Sequence, residues 1–86
     1  MASYQIRWKR SASRELKKLP VAVIPRIVKA VEGLATDPRP AGIKKLTGTD
    51  HTYRLRVGDY RVLYTIEDEI LLIQIVRTGH RRDVYR

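Results

Sequence analysis

The chain has 86 residues, enough for one small domain over residues 1–86 and no second core. Its 18 lysines and arginines against 9 aspartates and glutamates give a net charge of +9, which points to nucleic acid or to an acidic protein as partner. Without cysteine, and with two histidines, it offers no disulfide and no thiol or histidine metal site, so neither a metal nor a cofactor is expected.

Taken in chain order, Tyr4 to Trp8 alternates apolar and polar residues and reads as a strand with Tyr4, Ile6 and Trp8 inward. Ser11 or Ser13 is expected to cap a short helix reaching Leu19, with Ala12, Leu16 and Leu19 on one side. Pro20 ends it. A second helix is expected from near Ala22, with Pro25 in its first turn and Ile24, Ile27, Val28, Val31, Leu34 and Ala35 as a continuous stripe. Asp37-Pro38 stops this helix, and residues 37–42 form a loop rich in turn residues. Lys44, Lys45 and Leu46 follow, and the turn from Gly48 to Asp50 leads into a hairpin.

The hairpin, Tyr53 to Ile66, turns at Gly58-Asp59, a two-residue signal of the type II′ kind. Such a loop sets the register, so Val57 faces Tyr60, Arg56 faces Arg61 and Leu55 faces Val62. Tyr53, Leu55, Val57, Tyr60, Val62 and Tyr64 then share an apolar face, while Arg54, Arg56 and Arg61 share the other. Like charges directly opposite one another destabilise a hairpin, so the Arg56/Arg61 pair is read as aimed at an anion. After the acidic turn Glu67-Asp68-Glu69, residues Ile70 to Arg77 read as a last strand, apolar on both sides. The order β-α-α-β-β-β predicts an α+β fold, an antiparallel sheet with a helical hairpin packed on one face. The longest apolar run, Ile70 to Ile73, is too short to span a bilayer, and the N-terminus shows no secretory pattern. A soluble, cytoplasmic protein with no membrane partner is expected.

In this meander the last strand ends beside the Gly58-Asp59 turn, so the tail from Thr78 to Arg86 emerges near Arg56 and Arg61. Arg54, Arg56, Arg61, Arg77, Arg81 and Arg82 then build one basic end, opposite the acidic turn. Guanidinium forks arranged this way stabilise a five-coordinate phosphorane without a metal, as RNA cleavage by its own 2′-OH requires. Arginine stays protonated and is a poor base. Tyr85 among its arginines and His80 are the nearby groups suited to moving or orienting a proton; a solvated His80 and a Tyr85 that only anchors the C-terminus are the plainer readings.

The segment KKLTGTDHTYRLRVGDYRVLYTI and the ending VRTGHRRDVYR, in that element order, make the chain similar to the RelE-type toxins of the RelE/ParE toxin–antitoxin superfamily. The resemblance covers nearly the whole chain and implies a RelE-like, microbial-RNase-like fold. It implies a toxin that cleaves messenger RNA in the ribosomal A site without a metal, halting translation. Position by position, it places the second-strand basic residues on Arg54 and Arg56, the third-strand arginine on Arg61, and the tail pair on Arg81 and Tyr85. Arg61, Arg81 and Tyr85 are thereby the expected catalytic residues; Arg54, Arg56, Lys44, Lys45, His80 and Arg82 are expected to bind substrate. Where the family pattern has lysines on the second strand this chain has arginines, so a proton acceptor would have to be Lys44, Lys45, Tyr85 or His80. The resemblance also implies a cognate RelB-like antitoxin partner; operator DNA, if bound, is reached through that complex. ParE-type relatives share the fold but poison DNA gyrase without cleaving RNA, and this is the alternative reading.

Overall fold

A computed structural model describes residues 3–48 and 51–82. The elements are β1 (Gln5–Trp8), α1 (Arg10–Lys17), α2 (Ile24–Gly33), β2 (Lys44–Lys45), β3 (Thr52–Val57), β4 (Tyr60–Glu67) and β5 (Leu72–His80), with a 3-10 turn at Asp68–Ile70. They form one sheet in the order β1-β5-β4-β3-β2.

The α+β architecture is the expected one, with three differences of detail. The sheet is mixed rather than wholly antiparallel, because β1 lies parallel to β5, pairing Gln5 with Leu72 through Trp8 with Ile75. Lys44 and Lys45 add a two-residue edge strand antiparallel to β3. Neither serine caps α1: the cap position is Lys9, without a side-chain bond, and the helix starts at Arg10. Ser11 and Ser13 sit inside the first turns because Lys9 donates its N–H to the Ile75 carbonyl (2.9 Å), which ties the chain to the sheet until the helix begins. The second helix becomes regular at Ile24, with Pro25 in its first turn, where a missing N–H costs nothing.

The helical hairpin covers one sheet face. Ala12 and Leu16 of α1, Ile27 and Val31 of α2, and Leu34 close on Val62, Tyr64 and Ile66 of β4 and Ile73 and Ile75 of β5. Each buried aliphatic side chain contributes roughly 1.5–3 kcal/mol. Gly58 has φ +60° while Asp59 has none of the positive φ values, the sign pattern of a type II′ turn. The β3–β4 register runs as the two-residue loop dictates, from Val57 with Tyr60 to Thr52 with Thr65.

Strand β5 departs from simple alternation. It starts at Leu72, and Ile70 is left 65% exposed, because Leu71 turns left-handed (φ 51°) on leaving the 3-10 turn. Tyr64 pairs with Ile75 but Leu63 pairs with Arg77, so Val76 is an extra residue in a β-bulge. Without the bulge, Arg77 would lie across from Val62, inside the core. The inserted residue inverts the alternation, so Thr78 faces the helices, 2% exposed, and donates its hydroxyl to the Ala12 carbonyl (3.1 Å).

The loop after α2 is fastened at the acidic end. Arg39 pairs with Asp68 (2.8 Å) and lies over the Tyr53 ring, 5.4 Å from its centroid. Tyr53 stacks on Tyr64, whose hydroxyl donates to the Pro38 carbonyl (2.8 Å). The Arg39 guanidinium first, and the Tyr4 hydroxyl second, hold the Asp68 carboxyl down at about 2, while burial pushes the Tyr64 phenol up to about 12. No helix among the described residues is long and apolar enough to cross a membrane.

Candidate functional site

The helices leave the second sheet face uncovered by either of them, and pairing across the strands lines cations up on it. Lys44 stands across from Arg54, Arg54 from Leu63, and Leu63 from Arg77. In the parallel row nearer the hairpin turn, Arg56 stands across from Arg61 and Arg61 from Gly79. Paired residues share a face, so Lys44, Arg54, Arg56, Arg61 and Arg77 belong to one surface.

Arg61 is the distinctive member. Its residue is half-buried, and its Nε is fully buried with no hydrogen-bond partner among the described residues. Leaving a buried donor unpaired costs about 1–3 kcal/mol, more for a charged group. Gly79 across the ladder has no side chain to offer it one. Arg56 is exposed and its Nε donates to the Gly58 carbonyl (3.1 Å), which folds it toward the turn.

The tail emerges where the meander placed it: the Arg81 N–H donates to the Asp59 carbonyl (2.9 Å), and Arg81 and Arg82 are exposed beside the turn. Tyr85 lies outside the described residues. Two other expected residues are placed differently, and a third, Arg77, shares the arginine surface but is tied back to a helix. Lys45 pairs with Tyr53 and so belongs to the opposite face from Lys44. His80 pairs with Tyr60, its ring edge-on to the tyrosine at 5.5 Å, and its Nδ1 accepts the Arg82 N–H (3.3 Å). The bulge at Val76 thus turns His80 to the helix side, away from Arg61. Arg77, expected at the basic end, is pinned by Glu15 of α1 (3.3 Å).

One residue near the turn is absent from the sequence reading. The Arg26 Nη2, from the first turn of α2, lies 3.4 Å from where a Cβ on Gly58 would stand. Arg26 therefore approaches the hairpin tip that Arg56 and Arg81 also touch. Its signal in the sequence is faint: a polar position off the α2 stripe, with nothing local to connect it to Gly58.

Chemically, the face offers fixed guanidinium donors suited to phosphate oxygens, which they grip without exchanging a proton. Among the described residues, no three histidine, aspartate or glutamate side chains gather in a way that holds a metal ion.

Comparison with known proteins decides the family. The model of the ParE toxin of type II toxin–antitoxin systems matches residues 6–85. The chain belongs to the RelE/ParE toxins. Among curated relatives, it is 36% identical to toxin RelG of Mycobacterium tuberculosis over 84 residues, covering 96% of this chain and 97% of that protein. It is 33% identical over 78 residues to a RelE1 toxin of Methanocaldococcus jannaschii, covering 85% of this chain and 84% of that one. The RelBE2 toxin–antitoxin complex of M. tuberculosis contains a chain superposing with TM-score 0.82 at 33% identity, over 93% of this chain and 100% of its own. The RelE–RelB complex of Pyrococcus horikoshii gives TM-score 0.82 at 29% identity, over 95% and 99%. The helical hairpin on a mixed sheet is thus the RelE fold, and this RelE/ParE toxin carries its arginines on the face opposite that hairpin.

Proposed function

We propose that this toxin is a metal-independent endonuclease that cleaves messenger RNA in the ribosomal A site and so inhibits translation. The observation that carries this reading is Arg61: a half-buried guanidinium on a basic face, opposite a glycine, whose Nε has no hydrogen-bond partner among the described residues. The part of this half-buried side chain that stays accessible is what a phosphate oxygen would grip.

In this reading Arg61 and Arg81 hold the scissile phosphate. The 2′-OH attacks the adjacent phosphorus, its proton leaves to a base, and negative charge builds on the phosphorane oxygens beside the guanidinium groups. The P–O5′ bond breaks, the 5′-oxygen takes a proton, and a 2′,3′-cyclic phosphate remains. Arg54, Arg56 and Lys44 follow the flanking backbone, and Arg82 adds a further contact at the turn. Tyr85, by the family resemblance, orients or activates the 2′-OH. The place of His80 against Tyr60 supports a role in holding the tail, and Lys45, on the other face, contributes charge at the sheet edge.

The partner in this reading is a RelB-like antitoxin. The similar solved chains were found in RelB–RelE complexes, and a net charge of +9 favours an acidic segment that folds on binding. Because the matching family model bears the ParE name, gyrase inhibition is the second reading. Primer extension on messenger RNA from cells briefly expressing the chain tests both. Discrete cuts within codons are expected, and intact messages with DNA damage would establish the gyrase reading instead.

A further inference from the structure

The cation of Arg77 and the open edge of β5 meet at one carboxylate outside the arginine face. Strand β1 pairs with β5 only from Leu72 to Ile75, so beyond Ile75 the outer edge of β5 has no strand beside it among the described residues. That edge begins where the bulge at Val76 interrupts the ladder to β4. Bulges leave backbone groups unpaired and twist the strand, so this stretch depends on contacts from outside the sheet. Glu15 of α1 fills the gap. Its Oε1 accepts the Thr78 N–H (3.2 Å) and its Oε2 accepts from Arg77 Nη2 (3.3 Å). One turn earlier, the Ala12 carbonyl accepts the Thr78 hydroxyl (3.1 Å). Both bonded residues immediately follow the bulge, and the next ones are Gly79, across from Arg61, and His80, across from Tyr60.

We infer that Glu15 is a positioning residue: its carboxylate locks the bulged end of β5 in the register that brings the tail to the arginine face. The physical reason lies in the period of a strand. A slip of one residue exchanges the two faces, so losing the bulge would carry Arg77 toward the core and Gly79 away from Arg61. Arg77 resists that slip when its guanidinium is held at the edge, and the Glu15 carboxylate is a group that holds it there. Thr78 resists it through both of its donors. Downstream, the bond from the Arg81 N–H to Asp59 docks the tail, and it depends on the same register. The inference rests on the nuclease reading only for its effect on rate; the placement of the tail stands apart from it.

The test uses the full chain with Glu15→Ala, Glu15→Gln and Arg77→Ala. Amide hydrogen exchange is read at Thr78 and Arg81, with Tyr64 and Ile73 as core controls, and cleavage on ribosomes is read as kcat and KM separately. For Glu15→Ala, exchange at Thr78 and Arg81 is expected to rise at least tenfold while the core controls stay protected. The cleavage kcat is expected to fall about tenfold with KM nearly unchanged. Glu15→Gln keeps an acceptor for the Thr78 N–H and is expected to restore most of both. Unchanged protection at Arg81 in Glu15→Ala would overturn the inference, as would a uniform rise that includes the core controls. If the parent chain cleaves no message, the nuclease reading fails by itself and the exchange pattern alone decides the role of Glu15.

Discussion

Gly79 stands directly across from Arg61 in the β4–β5 ladder, so the guanidinium whose buried Nε lacks a partner among the described residues faces a residue without a side chain. The pairing puts no side chain of β5 beside Arg61. Gly79 does not have a positive φ, so its backbone admits other residues. Gly79 is buried, so Gly79→Val is expected to push Arg61 aside and to cut messenger RNA about 10²-fold more slowly, with an unchanged circular dichroism spectrum required to separate this from loss of the fold. Arg61→Ala and Arg81→Ala are expected to lose roughly 10²–10³ in rate with the fold kept. Full growth inhibition by both arginine variants would remove the phosphate clamp.

The apolar side of the hairpin predicts the opposite behaviour. Val62 is fully buried beneath the helices, and Leu55 packs against the same core. Val62→Asp places a charge there without a partner and is expected to cost more than about 4 kcal/mol, enough to unfold a small domain. Leu55→Asp should be milder, because its site is only partly buried. A cooperative thermal transition in Val62→Asp at the parent's temperature would contradict the core assignment.

Tyr85 and His80 separate in single-turnover cleavage. With His80 against Tyr60, His80→Gln is expected to leave the rate within about twofold and the pH–rate profile unchanged in shape. Tyr85→Phe removes only a hydroxyl and is expected to slow cleavage while ribosome binding persists. A larger effect from His80→Gln would return the proton transfer to the histidine.

Acid should loosen the far end of the molecule. The folded-state value of Asp68, about 2, lies below the roughly 3.9 of a free aspartate. Its contribution to stability is therefore complete above about pH 4 and is lost as pH falls through about 2. Carboxyl-carbon NMR titration should give that low midpoint, and Arg39→Ala should return it toward the free value. An unchanged midpoint in Arg39→Ala would mean that the ion pair is not what lowers it.

The chemistry of two residues, Gly58 and Asp59, was enough to determine the hairpin register, because a two-residue turn leaves no freedom in the pairing of the strands it joins. Alternation from there separated the tyrosines from the arginines, and the 3.6-residue period marked the buried side of α2. These are local rules, written within a few residues of where they act. Tertiary packing decided the rest. Whether Arg77 enters the core depends on Val62, fifteen places earlier in the chain, and the bulge at Val76 is the response to that contact. The bulge then inverts the faces of every residue from Arg77 to His80, which is why His80 ended beside Tyr60 and not beside Arg61. Lys44 and Lys45 divided between two faces because β3 offered an edge to pair with. Arg26 reached Gly58, and Glu15 reached Thr78, only once the helices had folded back over the sheet. A sequence records the period of each element; where the elements meet is set by the burial they achieve together.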